Sequence, residues 1–392
     1  MASTESRPEG LHLTMRRNRL LVLATYPRTA AATRFRASAY FDALARSGID
    51  AELHPFFDDQ FFRTFYRPGA RVQKAVRLLR ASIDRALLFI VGGHFDAVFV
   101  QREAALLGPA LIEALFARVR RLPLIFDFDD AIWIEDVSVS QHPRLAALLK
   151  SPRKTIDLLR MATETIAGSN YLAAYAYGFT ERVTVSPTVV SRTTWSPLPG
   201  RLDGTFASTS GLPVVGWVGT HGTAGFLDVA LPALRVLAEQ GERFRLRLVG
   251  ASREVSIPGV EVENVPWSEA SEIHDFQRID VGIAPMPDTP WTRGKCGFKQ
   301  VQYMTVGVPY VSSPVGGASE IVRHGENGLL AGSILEWRDG VRALLRDADL
   351  RARLARAGRA DVESRWCTEV QAQSVVSCVE RAVARGTRRG AR

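Results

Sequence analysis

Residues 281–330 read VGIAPMPDTPWTRGKCGFKQVQYMTVGVPYVSSPVGGASEIVRHGENGLL. VGIAP (281–285) and VPYVSS (308–313) are short apolar runs bounded by turn residues, the pattern of buried parallel strands. Between them an amphipathic segment at 296–305 predicts a helix, and SPVGGASE opens another near Ala318. Ligands of open parallel sheets sit beyond the carboxyl ends of the strands. Gly297, Gly316 and Gly317 would let the backbone come close to an anion there, and a helix starting near Ala318 would offer unpaired N–H groups with a partial positive charge. A nucleotide diphosphate suits such a site.

Outward from this stretch the same alternation repeats. Strands are expected at 20–25, 50–54, 97–101, 124–128, 165–167 and 182–185, then again at 214–218, 245–249 and 260–265, with helices between them. This spacing predicts two parallel α/β halves. The text from Ser186 to Gly211 turns to Pro, Ser, Thr and Gly, including WSPLPGRLDG, and reads as a linker. The expected division is a disordered tail at 1–18, an N-terminal Rossmann-like half at 19–186, the linker at 187–211 and a second Rossmann-like half at 212–366.

The motif-rich last third resembles the donor-binding half of a nucleotide-sugar-dependent glycosyltransferase of the GT-B fold, in the large retaining family four (group 1). The resemblance runs from about Leu20 to the C-terminus. It implies two Rossmann-like domains facing across a cleft, with a C-terminal helix at about 367–386 returning to the first domain and the final GTRRGAR fraying. Many members carry a Glu, seven residues and a second Glu. Aligned back from Gly307-Val308-Pro309, these positions hold Gly294 and Gln302, so both acids are missing. The turn at Cys296, Gly297 and Phe298 still fits the family's phosphate-contacting turn, and the Gln302 amide suits ribose hydroxyls.

In this fold the loop after VVGWV, here Gly219, Thr220, His221, Gly222 and Thr223, approaches the donor phosphates. The family's usual Arg and Lys are absent from it. Arg293, Lys295 and Lys299 crowd the facing WTRGKCGFK segment and are the expected replacements, Lys299 deepest in the motif and closest to the chemistry. The competing reading leaves Arg293 and Lys295 as solvated loop charges. Glu320 either caps its helix or contacts ribose or donor sugar. His221 either touches a phosphate oxygen or the donor sugar, or is structural. Trp267 offers a stacking face for the base or fills a core, and backbone near Gly250 and Ala251 is the other candidate for base contact.

FDFDDAIW places Asp127, Asp129 and Asp130 at a strand end. Carboxylates there accept hydrogen bonds from sugar hydroxyls or act as a base, and one acid of such a group is expected to have a raised pKa. Helix capping by Asp129 or Asp130 is the alternative. Arg34 and Arg36 match a basic position in related sequences and suit a diphosphate or an anionic acceptor, with surface ion pairing as the other reading. Ser169 and Asn170 are expected to begin a helix by capping. A divalent metal is the third reading of these acids, set aside because the GT-B enzymes the chain resembles generally need none for chemistry, and no cofactor is expected. In the retaining reaction the resemblance implies, the leaving diphosphate oxygen takes the acceptor proton, so no protein nucleophile is required.

The chain of 392 residues is 46% hydrophobic and carries a net charge of +9, mostly from arginine, since only Lys74, Lys150, Lys154, Lys295 and Lys299 are lysines among fifty basic residues. Phosphates, phospholipid headgroups or nucleic acid are the partners such a charge suits. No nucleic-acid motif is present, so nucleic acid ranks last. Three widely spaced cysteines, Cys296, Cys367 and Cys378, suit a reducing compartment without a zinc site, and a cytoplasmic protein is expected. FFRTFYRPGARVQKAVRLLRASIDRALLFIVGG (61–93) interleaves aromatics with Arg63, Arg67, Arg71, Lys74, Arg77, Arg80 and Arg85, with Asp84 its only acid. Val72, Val76, Leu79, Ile83, Leu87 and Ile90 fall in one helical stripe. Either that stripe packs on the core, or it forms an interfacial patch for anionic lipid at the inner membrane face. The expected activity is hexosyl transfer to a glycan or lipid-linked acceptor, in cell-surface polysaccharide or glycolipid synthesis. A nucleotide-sugar 2-epimerase and a non-catalytic nucleotide-sugar-binding protein are the rivals.

Overall fold

The computed structural model describes residues 16–65, 69–134, 151, 153–203 and 211–390. Most of the expected tail, Arg67 and part of the linker lie outside them. The first half is a six-stranded parallel sheet of β1 (Asn18–Ala24), β2 (Ile49–Pro55), β3 (Ala97–Gln101), β4 (Leu124–Phe128), β5 (Glu164–Ala167) and β6 (Val183–Val185), in the order β2-β1-β3-β4-β5-β6. The second holds β7 (Val214–Val218), β8 (Arg245–Val249), β9 (Glu261–Val265), β10 (Val281–Ala284), β11 (Tyr310–Ser312) and β12 (Leu329–Leu330), in the order β12-β11-β10-β7-β8-β9. That is the doubly wound dinucleotide-type order, and its direction reverses between β7 and β10, where such sheets bind ligands.

The central strands β1, β3, β4 and β5 are buried on both faces, and the two-residue period divides their side chains between two cores. Leu21, Leu23, Val98, Val100, Phe126 and Phe128 face one cluster. Leu20, Val22, Ala97, Phe99 and Ile125 face the other, which is closed by Val375, Val376, Cys378, Val379 and Ala382 of the helix Thr368–Gly390. The C-terminal helix therefore does return to the first half. It enters beside the segment leaving that half, where Thr368 N donates to Val190 O at 3.1 Å, and it stays helical through Gly390, four residues past the expected end. In the second half Trp217, Leu246, Leu248, Ile283 and Val311 pack against Trp337, Val341 and Leu344.

The strand positions follow the sequence reading closely, except that β12 was not foreseen: two residues give no period to read. The helix Arg71–Val91 departs further. It docks through Leu78, Ala81, Leu88 and Phe89 and buries Arg85, whose guanidinium donates to Ala104 O at 2.8 Å and to Ala24 O at 3.1 Å. The stripe Val72 to Ile90 lies on the opposite side, exposed. Of the two readings of that stripe, core packing is overturned. No helix among the described residues is long and apolar enough to cross a membrane.

Candidate functional site

The turns after β7, β8 and β9 surround a cavity of about 460 Å³ lined by Gly219, Thr220, His221, Gly250, Asn264 and Trp267, among others. Its floor is made by close backbone approach. A side chain at Gly219 would strike the Trp217 ring at 2.2 Å, and one at Gly250, which has φ +77°, would meet Gly219 O at 2.3 Å. Thr220 and Thr223 cap the following turn reciprocally, with Thr220 N donating to Thr223 Oγ1 at 3.3 Å. Their hydroxyls are thus engaged in local structure, while Gly219, Thr220 and His221 line the space and the expected Gly222 and Thr223 do not. Trp267, Gly250 and Ala251 come together in this lining. Asn264 and Ser252 join them without having been foreseen: a single amide in EVENV and a loop serine carry no pattern.

Lys299 stands at the start of the helix Phe298–Thr305, whose N-cap, Gly297, takes φ +73°. Its ammonium lies 4.7 Å from the centre of the Trp217 ring, against which Gly219 also packs. Among the described residues it has no hydrogen-bond or ion-pair partner. Burial, with a smaller push from Lys295, lowers its pKa to about 7. Its neighbours in the segment behave differently. Lys295 Nζ donates to Asp130 Oδ2 at 2.7 Å and lies over Trp291. Arg293 forms an exposed pair with Asp288 at 2.7 Å. For Arg293 the solvated-charge reading wins; Lys295 is committed to the other half of the chain.

The glycines expected beside an anion do something else. Side chains at Gly316 and Gly317 would strike the carbonyls of Lys295 and Cys296 at 2.7 Å and 2.6 Å, and one at Gly297 would strike Gly317 C at 2.9 Å. Gly317 N already donates to Lys295 O at 2.7 Å. The 292–297 and 316–318 turns are packed backbone to backbone, and carbonyl oxygens fill the space an anion would need. Only the Gly297–Phe298 turn remains as a helix start beside a cation. The helix at Ala318 is a single turn, Ala318–Ile321.

Segment 292–297 also seals the two halves together. A side chain at Gly294 would lie 2.5 Å from Ala131 Cβ, and one at Gly168 would lie 2.4 Å from Cys296 Sγ. The Cys296 thiol donates to Asp129 O at 2.8 Å. Nothing larger than glycine fits at position 294, which gives a steric reason for the missing first Glu. Glu320 neither caps nor faces the cavity: it accepts from Asn170 Nδ2 of the first half at 2.9 Å. Ser169 caps the helix Asn170–Tyr177, as expected, accepting from Leu172 N at 3.3 Å.

The acids of the first half are fully occupied. Arg36 and Asp127, each 1% exposed, form a buried two-point pair, and Arg36 also donates to Ser186 O. Neither reaches a ligand, because the cleft end of β4 folds them inward. Burial pushes the Asp127 carboxyl up to about 6 against the pull of Arg36. Arg102, at φ +63° just after β3, bonds to Asp129 at 2.9 Å and Asp130 at 3.2 Å. Burial works to raise Asp129, yet Arg102, Arg36 and Lys295 hold it below the ordinary carboxylate range. The raised acid of the trio is therefore the one without access, and the expected base role for Asp129 or Asp130 loses its footing.

Arg34 crosses to the second half, pairing with Glu269 at 3.0 Å and with the buried Glu272. Its guanidinium lies 6.0 Å from the centre of the Trp267 ring. Glu272 also meets the Gln302 amide, Nε2 to Oε1 at 3.5 Å, and burial raises its pKa against Arg34. Gln302 thus faces a carboxylate, not open cleft. Glu272 and Arg102 escaped the sequence reading, since each sits in a charged helix or turn with no local signature. Among the described residues no group of three or more His, Cys, Asp or Glu is placed to hold a metal ion.

Residues 212–347 match the family model described as glycosyl transferases group 1. No curated protein matches the chain by sequence. Among solved structures, Anabaena HepE in complex with UDP-glucose superposes with a TM-score of 0.63 at 16% identity, over 93% of this chain and 99% of that one. Sucrose-phosphate synthase from Thermosynechococcus elongatus gives 0.63 at 15%, over 94% and 100%. The α,α-trehalose 6-phosphate synthase from Burkholderia multivorans gives 0.63 at 14%, over 96% and 99%. The chain has the GT-B fold and carries a group 1 glycosyltransferase domain in its second half, which makes it an enzyme of the glycosyltransferase class.

Proposed function

We propose that the chain transfers a hexose-like sugar, with retention, from a nucleotide diphosphate sugar to a glycan or lipid-linked acceptor. The observation that carries this reading is Lys299, a half-buried cation without an acid, set at a helix start against the Trp217 ring, on which Gly219 of the cavity at the ends of β7, β8 and β9 also packs. An anion is what such a group lacks: binding a diphosphate would restore its charge and give it a charge-assisted hydrogen bond. The base would occupy the cavity against Trp267, with Asn264 and the Gly250–Ala251 backbone at its edge. UDP-glucose, held in complex by Anabaena HepE, is a molecule of this chemical type.

In the reaction the C1–oxygen bond to the diphosphate breaks, the acceptor oxygen bonds to C1 on the same face, and the acceptor proton passes to the departing phosphate oxygen. Catalysis then consists of positioning and of stabilising the charge that grows on the diphosphate, which falls to Lys299 and the backbone donors of the Gly219 and Gly297 turns. No carboxylate nucleophile is needed, so the absence of acids at 294 and 302 is compatible with turnover. Synthesis of a cell-surface polysaccharide or glycolipid at the cytoplasmic face is the setting such an acceptor implies.

Calorimetric titration with a panel of nucleotide diphosphate sugars tests the donor site. Binding should weaken at least about tenfold in Lys299→Ala, the equivalent of a charge-assisted hydrogen bond; unchanged affinity removes Lys299 from the site. The sealed Gly294 contact with Ala131 favours one second reading, a donor-binding protein without turnover. Release of nucleotide diphosphate that depends on added acceptor supports transfer; binding with no release in any acceptor mixture supports the second reading.

A further inference from the structure

The helix Arg71–Val91 is inside out for a globular protein. Its buried side carries Arg85, 3% exposed, while Val72, Leu79 and Ile90 are 77%, 63% and 67% exposed, with Val76, Ile83 and Leu87 completing the same stripe. Leaving that apolar surface in water is costly in proportion to its area. The helix is amphipathic, its mean hydropathy is near zero, and no acid but Asp84 interrupts residues 61–93. These are the marks of a helix that lies in a membrane interface, not of one that spans it.

A second feature borders the stripe. A cavity of about 400 Å³ opens between the carboxyl end of β2 and this helix, with Arg77, Arg80, Arg85 and His54 in its wall together with Asp58 and Asp84. Asp58 is committed to Phe61 N at 2.6 Å, and Asp84 only grazes Arg80 at 4.0 Å. Arg77 gives one nitrogen to Gln60 Oε1 at 3.0 Å and keeps its buried Nη1 without a partner. A basic hollow with an unsatisfied donor, set at the flank of an exposed apolar stripe, matches the two chemistries of a phospholipid: acyl chain and phosphate.

We propose that the helix Arg71–Val91 docks the protein on an anionic phospholipid bilayer, the Val72-to-Ile90 stripe entering the acyl boundary while Arg77 and Arg80 take a headgroup phosphate. The hollow opens at the same edge of the first sheet that carries Arg102 and Asp127, so docking brings a lipid-borne acceptor to the cleft side of that half. The inference stands on this helix and does not depend on the donor site.

Vesicle sedimentation tests it with the full chain, using phosphatidylcholine with and without phosphatidylglycerol. The protein should pellet with the anionic vesicles and stay in solution with the neutral ones. Leu79→Gln with Ile83→Gln should weaken binding by at least about tenfold, and Arg77→Gln with Arg80→Gln by about fivefold per charge removed. Because Leu79, Arg80 and Ile83 are exposed, Leu79→Gln with Ile83→Gln and Arg80→Gln alone should keep the wild-type thermal melt, and donor titration of the same variants reads the other site separately. Equal partition between the two vesicle types, or binding indifferent to Leu79 and Ile83, overturns the proposal. So does a solution dimer that Leu79→Gln dissociates while vesicle binding is absent, since a second copy then covers the stripe.

Discussion

The carboxyl ends of the two sheets treat charge in opposite ways. In the first half the three acids at the end of β4 are all paired: Asp127 by Arg36, and Asp129 and Asp130 by Arg102, with Lys295 reaching across to Asp130. In the second half Lys299 lies against the Trp217 ring with no counter-charge among the described residues. A closed set of pairs holds a shape, whereas an open charge is free to take an anion. The more eye-catching string of the two in the sequence, FDFDDAIW, is the structural one.

The largest effect should come from breaking the closed side. Removing one partner of a buried pair strands the other in low dielectric, which costs about 3–5 kcal/mol. Asp127→Ala should therefore lower the unfolding free energy by about that amount, measured by denaturant titration, and Arg36→Ala likewise. If either variant unfolds at the wild-type denaturant midpoint, the pair is not the structural element its burial implies.

Breaking the open side should leave the fold intact and remove the ligand. Lys299→Ala loses at least about tenfold in donor affinity, and the wild-type protein should show why through pH. The diphosphate of a nucleotide sugar is a diester, whose charge does not change near neutrality, while free Lys299 titrates at about 7. Only the protonated amine attracts the anion, so affinity should be greatest below pH 7 and fall as pH rises through it. Calorimetry across pH 6 to 9, roughly the span around that value, checks the slope; a flat profile in the wild type would show that the amine is not the anion's partner.

The same lysine should have a smaller, opposite effect on stability. Its folded pKa lies below the ordinary value of 10.5, so the unfolded chain binds more protons between about 7 and 10.5 and stability rises with pH across that window. Lys299→Met keeps the packing against Trp217 and removes the titration. It should melt higher than wild type near pH 7 without donor, and the gap should close as pH approaches 10. Identical melting curves at both ends would mean the buried charge carries no cost.

How far this contrast was legible in the sequence depends on the physics involved. Strand positions were readable because burial on both faces leaves near-continuous apolar runs, as in LIFDF and VVGWV, and only the two-residue β12 escaped. Lys299 and Trp267 were found as residue types near strand ends. Which charges are paired was hidden, because Arg102 and Glu272 meet their partners through tertiary contacts that leave no spacing to read. The glycines misled for a related reason: GG and CG signal close backbone approach, and here the approaching group is another strand of chain. The stripe on Arg71–Val91 was visible as a stripe, but amphipathicity defines a face without saying what covers it.

Arg293 supplies the smallest effect and a sharp control. It lies six residues from Lys299, carries the same charge and belongs to the same segment, yet it forms an exposed pair with Asp288. Solvent screens such a pair, and its loss uncovers no buried group. Arg293→Ala should leave melting temperature and donor affinity indistinguishable from wild type by calorimetry. A clear loss of donor binding would mean that Arg293 abandons Asp288 for the diphosphate when ligand arrives. The contrast drawn between paired and unpaired charge would then hold only for the empty site.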